Sequence, residues 1–186
     1  MQAASGLPGS EPKIYAAMRF FLLIMIMLVG SGLSEPTHAA AAAQTPSFKD
    51  FAASSEYPAK PAPLRTASHP RASMFRTHLS QTLKDGPRFA GNYAVATWGC
   101  GTNCQAHAIV DARTGDAYFP KEIASTAPDH PCERDLLEFR PDSRMIGVTR
   151  IRSQTATVTT YYEWNALKLA RVGERSRSMD EFCAGK

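Results

Sequence analysis

The sequence lacks the short signatures that would announce a familiar catalyst. It has no Gly-x-Ser-x-Gly, no His-Glu-x-x-His and no glycine-rich phosphate loop, so no hydrolase elbow, zinc-protease helix or nucleotide cradle is expected. It also lacks a concentrated charge of either sign. The formal charge is +4, and 21 basic residues are scattered among 17 acidic ones with a modest cluster at Arg171, Arg175 and Arg177. A nucleic-acid footprint wants a basic face, so no nucleic-acid partner is expected. No cofactor motif is present. No apolar run approaches the roughly 20 residues that span a bilayer. Cysteine is sparse, with four in 186 residues, and this length holds one ordinary domain with its own core.

The longest apolar run is short but informative. Met18-Arg19 is followed by about ten apolar residues to Val29, then Gly30-Ser31 and an alanine-rich stretch from Ala39 to Ala43. A basic residue, a short apolar core and small residues form a secretory signal. Residues 1–43 are therefore read as an N-terminal extension plus signal peptide, with translation starting at Met18. Cleavage is expected between Ala43 and Gln44 or a few residues earlier, after Ala39. No cysteine follows the apolar run closely, so no lipid anchor is expected, and cleavage would leave no stable membrane anchor. The expected location is the periplasm or the exterior.

Export changes how the cysteines read. Cys100, Cys104, Cys132 and Cys183 all follow the signal, and an even number in an oxidising compartment is most simply two disulfides. Four cysteines allow three connectivities, and spacing alone does not choose among them.

Along the mature chain, residues 44–67 form a proline-rich arm punctuated by Phe48, Phe51, Tyr57 and Leu64. Large apolar groups have no use in a solvated linker, so the arm is expected to pack across the domain in extended form. Residues 68–186 are read as one domain. Its helix begins at Ser68 and Pro70, carries Phe75, Leu79 and Leu83 on one face, and stops at Asp85-Gly86-Pro87, with Gly86 as a left-handed cap. Seven short strands follow: 92–98, 106–111, 116–119, 136–140, 145–151, 155–164 and 168–172. Most are joined by turn residues such as Thr114-Gly115 and Pro141-Asp142-Ser143. The expected fold class is α+β: mainly an antiparallel β meander of about seven short strands with one amphipathic helix packed on it. The strand-Pro-Asp-Ser-strand unit has the look of part of a propeller blade, although the length forbids four or more blades.

The densest chemistry is Trp98-Gly-Cys-Gly-Thr-Asn-Cys104. Together with Gln105, Gly86 to Tyr93, Ala108 to Asp111 and Tyr118 to Pro120, it resembles a group of exported bacterial proteins carrying a WGCGTxCQ signature. The resemblance covers most of the mature chain. It implies export and a single domain and assigns no catalytic residue.

The residues themselves leave several uses open. Gly99 and Gly101 permit a tight turn between strands, and Cys100 with Cys104 can close it if their Cα atoms come within about 7 Å. The turn can also present backbone N–H groups to an anion, with Thr102, Asn103 and Gln105 adding side-chain hydrogen bonds and Trp98 an apolar wall. In that reading the protein is a binding or interaction module for an unknown periplasmic protein or small ligand. The alternative is a thiol-redox or metal-dependent enzyme centred on Cys100, Cys104 and His107, perhaps joined by His130, whose soft ligands suit zinc or copper(I). The redox form is disfavoured by Cys-x-x-x-Cys spacing between strands, since reactive pairs usually open a helix.

Overall fold

A computed structural model describes residues 45–132 and 134–185. The expected signal peptide and its cleavage point lie outside the described residues. The architecture is α+β, with mostly antiparallel strands in two sheets and few helices.

The first sheet contains β1 (Arg88–Phe89), β2 (Tyr93–Gly101), β3 (Cys104–Asp111), β4 (Ala117–Tyr118) and β5 (Ser125–Thr126). They run in the order β1-β2-β3-β4, and β5 pairs with the other half of the same β3 edge, Gln105 opposite Thr126. The second sheet is a four-stranded meander of β6 (Leu137–Phe139), β7 (Met145–Ser153), β8 (Ala156–Trp164) and β9 (Leu169–Ser178). The described strands thus number nine in two sheets, where the sequence suggested about seven. The additions are the two-residue strands β1 and β5, too short for any period to show.

One core cluster draws on both sheets. Tyr93, Val95 and Ile109 from the first meet Ile146, Val148 and Trp164 from the second. The other face of the first sheet is lined by small residues, Ala96, Ala106, Ala108 and Ala117, together with Val110 and Trp98. Their missing side-chain bulk lets helices lie close, and Leu79 and Leu83 fill the space with almost no exposure. Because β2 and β3 are covered on both faces, they do not alternate apolar with polar residues.

The expected single helix is two: α1 (Pro70–Met74) and α2 (Arg76–Asp85), with Phe75 between them at φ −104°, ψ 19°. The hydrogen bonds continue through the bend, since Phe75 N–H donates to Arg71 C=O and Leu79 N–H to Phe75 C=O. The cap is His69, whose Nδ1 accepts from Arg71 N–H, while Ser68 Oγ accepts from Ala117 N–H instead. Gly86 is extended (φ −73°), not left-handed. A side chain there would put its Cβ 2.6 Å from Thr82 C=O, so close approach is the reason for glycine.

The proline-rich segment is stitched to the domain by its backbone. Ala53 N–H donates to Asp142 C=O, Ala62 N–H to Ala112 C=O and Arg65 N–H to Gly115 C=O, each at 2.8 Å. Gly115, at φ +76°, makes the last contact possible, because a Cβ there would sit 1.9 Å from Pro63 C=O. At the other end of the chain, α3 (Met179–Cys183) is opened by Ser178 and Glu181, each capping the other's backbone N–H. It buries Met179 and Phe182 against Leu136. Among the described residues, no helix is long and apolar enough to cross a membrane.

Candidate functional site

The hairpin joining β2 and β3 carries the whole Trp98 to Gln105 stretch. Pairing runs regularly from Tyr93 opposite Asp111 to Gly99 opposite Gln105, then slips by one residue so that Gly101 faces Cys104. Cys100 is the extra residue of this bulge, and Thr102-Asn103 make the turn. The bulge and the turn need unusual backbone angles, which Gly101 supplies at φ +137° and Asn103 at φ +51°. Asparagine tolerates the left-handed region better than most side chains.

A disulfide closes the hairpin end. Cys100 is bonded to Cys104 with Cα atoms 5.1 Å apart, and Cys132 is bonded to Cys183 at 5.5 Å. Of the connectivities left open by spacing, this is the local one plus a tether between the loop before β6 and α3.

The structure divides the predicted recognition residues into two groups. Gly99, Cys100, Gly101, Thr102 and Asn103 are exposed, and built Cβ positions at Gly99 and Gly101 meet nothing within 4 Å. Gln105 is half-buried between Gly99 and Thr126. Trp98 is different, for only 6% of its surface is exposed. Its ring lies 4.5 Å from that of Phe75, stacks on His78 at 5.8 Å and meets Phe119 edge-on at 6.5 Å. The indole therefore anchors the hairpin beneath the helices and does not form an exposed wall for a ligand.

Beside the tip runs a cleft of about 450 Å³ between the first sheet and the end of β7. Its lining includes Asn103, Cys104, Ser125, Thr126, Arg150 and Ile151. Arg150 also donates to Glu122 C=O at 3.2 Å. The cleft therefore joins the turn to a wall of hydroxyls and one guanidinium, groups suited to polar recognition.

His107 lies behind this wall and is 2% exposed. Its Nδ1 is 3.0 Å from Thr97 Oγ1 and its Nε2 is 2.9 Å from Thr126 Oγ1. Burial pushes its pKa down to about 4, against a smaller opposing pull from Asp135. The ring is therefore neutral at pH 7. A histidine whose pKa falls on folding binds fewer protons folded than unfolded between about pH 4 and 6.5, so its contribution is complete above 6.5 and is lost as pH falls through that window. The loss should reach about 3 kcal/mol at pH 4. Urea unfolding at pH 7 and pH 4 checks this: His107→Gln, which keeps hydrogen-bonding groups without the titration, should lose less stability on acidification than wild type. Equal acid losses would contradict it.

Cys100, Cys104 and His107 are not brought together as a ligand set. The two sulfurs bond to each other, the two imidazole nitrogens face threonines, and no three His, Cys, Asp or Glu side chains among the described residues are placed to hold a metal ion. His130 lies with the second disulfide, its Nδ1 3.5 Å from Cys132 Sγ. Asp111 and Asp116 hold turns: Asp111 accepts from Asn92 Nδ2 and Arg113 N–H, and Asp116 pairs with Arg65. The role of His107 is the one that sequence reasoning missed, because Thr97 becomes its neighbour only once the hairpin register is known. Comparison of the chain with protein-family models, curated proteins and solved structures finds no match.

Proposed function

We propose that this protein is an exported binding module whose recognition element is the disulfide-closed hairpin tip, Gly99 to Gln105, together with the cleft beside it. The observation that carries this reading is the contrast within the hairpin: Trp98 is locked beneath the helices while the next five residues stand exposed. A rigid, exposed turn loses little entropy when it binds. The leader-like sequence, the two disulfides and the WGCGTxCQ resemblance support export to the periplasm or beyond. The expected partner is a periplasmic protein or a small polar ligand.

The test is capture of partners from periplasmic extract on immobilised protein, comparing wild type with the Thr102→Ala/Asn103→Gly variant. Glycine retains the turn's positive φ, so the fold should survive. Recovery of the partner should fall about tenfold or more, the equivalent of about 1.4 kcal/mol. Undiminished recovery would place the site elsewhere. The thiol-redox alternative requires the Cys100–Cys104 bond to open in use; the exposure of Cys100 permits attack by an external thiol.

A further inference from the structure

We propose that a second site, separate from the hairpin tip, binds a small carboxylate. It is a cleft of about 320 Å³ where the segment around Ser55, the turn leading into β2 and the β8–β9 turn meet, lined in part by Asn92, Tyr93, Arg144, Trp164 and Asn165. The volume is at the lower end for ligand pockets and equals about ten waters of liquid, which suits an organic acid of a few carbons.

The chemistry of the wall selects the ligand. Trp164 is 1% exposed, and its buried indole Nε1 has the Tyr93 hydroxyl within interaction range but without the geometry of a full hydrogen bond. Buried indole N–H groups ordinarily find an acceptor. Asn165 Oδ1 already accepts from the N–H groups of Leu167 and Lys168, which leaves its amide nitrogen to donate. Arg144 adds a cation at the mouth, its Nε on Ala52 C=O and one terminal nitrogen 2.7 Å from Glu163. The amide oxygens of the wall, by contrast, are engaged: Asn92 Oδ1 takes the Ser55 hydroxyl, as Asn165 Oδ1 takes its two N–H groups. A pocket with donors to offer and its amide oxygens in use favours a ligand rich in acceptors. A carboxylate beside a guanidinium meets that condition, whereas a sugar would need acceptors for its own hydroxyls.

The turn geometry points to the same cleft. Ala90 and Ala166, non-glycine residues at φ +44° and +71°, both border this cleft. Such conformations cost energy and often accompany ligand sites.

The test follows the two indole N–H signals in a ¹⁵N–¹H correlation spectrum of the mature protein, assigned with Trp98→Phe. Succinate, triglycine, triglycinamide and glucose are titrated separately. Succinate should move the Trp164 signal saturably and leave the Trp98 signal in place, and Arg144→Gln should weaken the effect at least tenfold. Triglycine acting where triglycinamide does not would identify a peptide chain end as a source of the carboxylate; succinate acting alone would identify a free acid. No shift with either acid, an equal shift with glucose, or an undiminished effect in Arg144→Gln would overturn the proposal. Thr102 and Asn103 take no part, so failure here leaves the hairpin reading untouched.

Discussion

Trp98→Ala should destabilise the protein by about 3–5 kcal/mol, the usual cost of removing a large aromatic from a packed interior. The indole touches Phe75, His78 and Phe119, and so ties β2 to the helix layer and to the chain after β4. Alanine would leave a void under α2 that Leu79 and Leu83, already buried, cannot fill. Urea unfolding checks the size, and a loss below about 1 kcal/mol would show that the indole is not an anchor. The consequence for function is practical. A binding defect in Trp98→Ala would report lost support for the hairpin, which is why the test of recognition uses Thr102 and Asn103.

Removing the Cys132–Cys183 bond should cost about 4 kcal/mol, and removing Cys100–Cys104 at most about 2. In the chain-entropy account the stabilisation grows with the logarithm of the loop closed, and the two bonds span 51 and 4 residues. The short bond also restrains a hairpin that ladder pairing already holds. The long bond pins α3, whose own contribution to the interior is limited to Met179 and Phe182 packed with Leu136. Denaturant unfolding of Cys132→Ser/Cys183→Ser and Cys100→Ser/Cys104→Ser should preserve this order, and the reverse order would contradict it.

Much of the fold is legible where local chemistry and burial agree. Thr155 to Trp164 is rich in β-branched and aromatic residues and forms β8; Pro141-Asp142-Ser143 turns β6 into β7. Phe75, Leu79 and Leu83 do mark the helical face that packs on the sheet. Reading fails where tertiary contacts decide. Ser125-Thr126 becomes a strand only because the Gln105–Ala106 edge of β3 is available beyond β4. Strand β9 runs to Ser178, past the expected end at Val172, because β8 pairs with it through Arg175 and Arg177. The buried end of that pairing is polar: Arg177 donates to Thr159 Oγ1, which also bonds Thr149. Helix α3, five residues long, is too short to show an apolar period, yet Ser178-x-x-Glu181 is a capping-box signal legible in the sequence.

For the candidate site, composition and spacing locate the hairpin but not its orientation. Glycine and cysteine at 99–104 indicate a constrained turn. Which side chains it displays depends on the strand alternation that sends Trp98 to the helix face and His107 toward the opposite face. The bulge at Cys100 changes that alternation at the last step.

The most direct measurement is a cysteine map of the exported protein, made by alkylating free thiols without reduction and digesting with trypsin. Cys100 and Cys104 should emerge within one peptide, unalkylated and lighter than its reduced form by the hydrogens lost on oxidation, and the peptides of Cys132 and Cys183 should emerge joined. Alkylated Cys100 and Cys104, or a bond from either to Cys132 or Cys183, would contradict the closed hairpin tip on which the account of this protein rests.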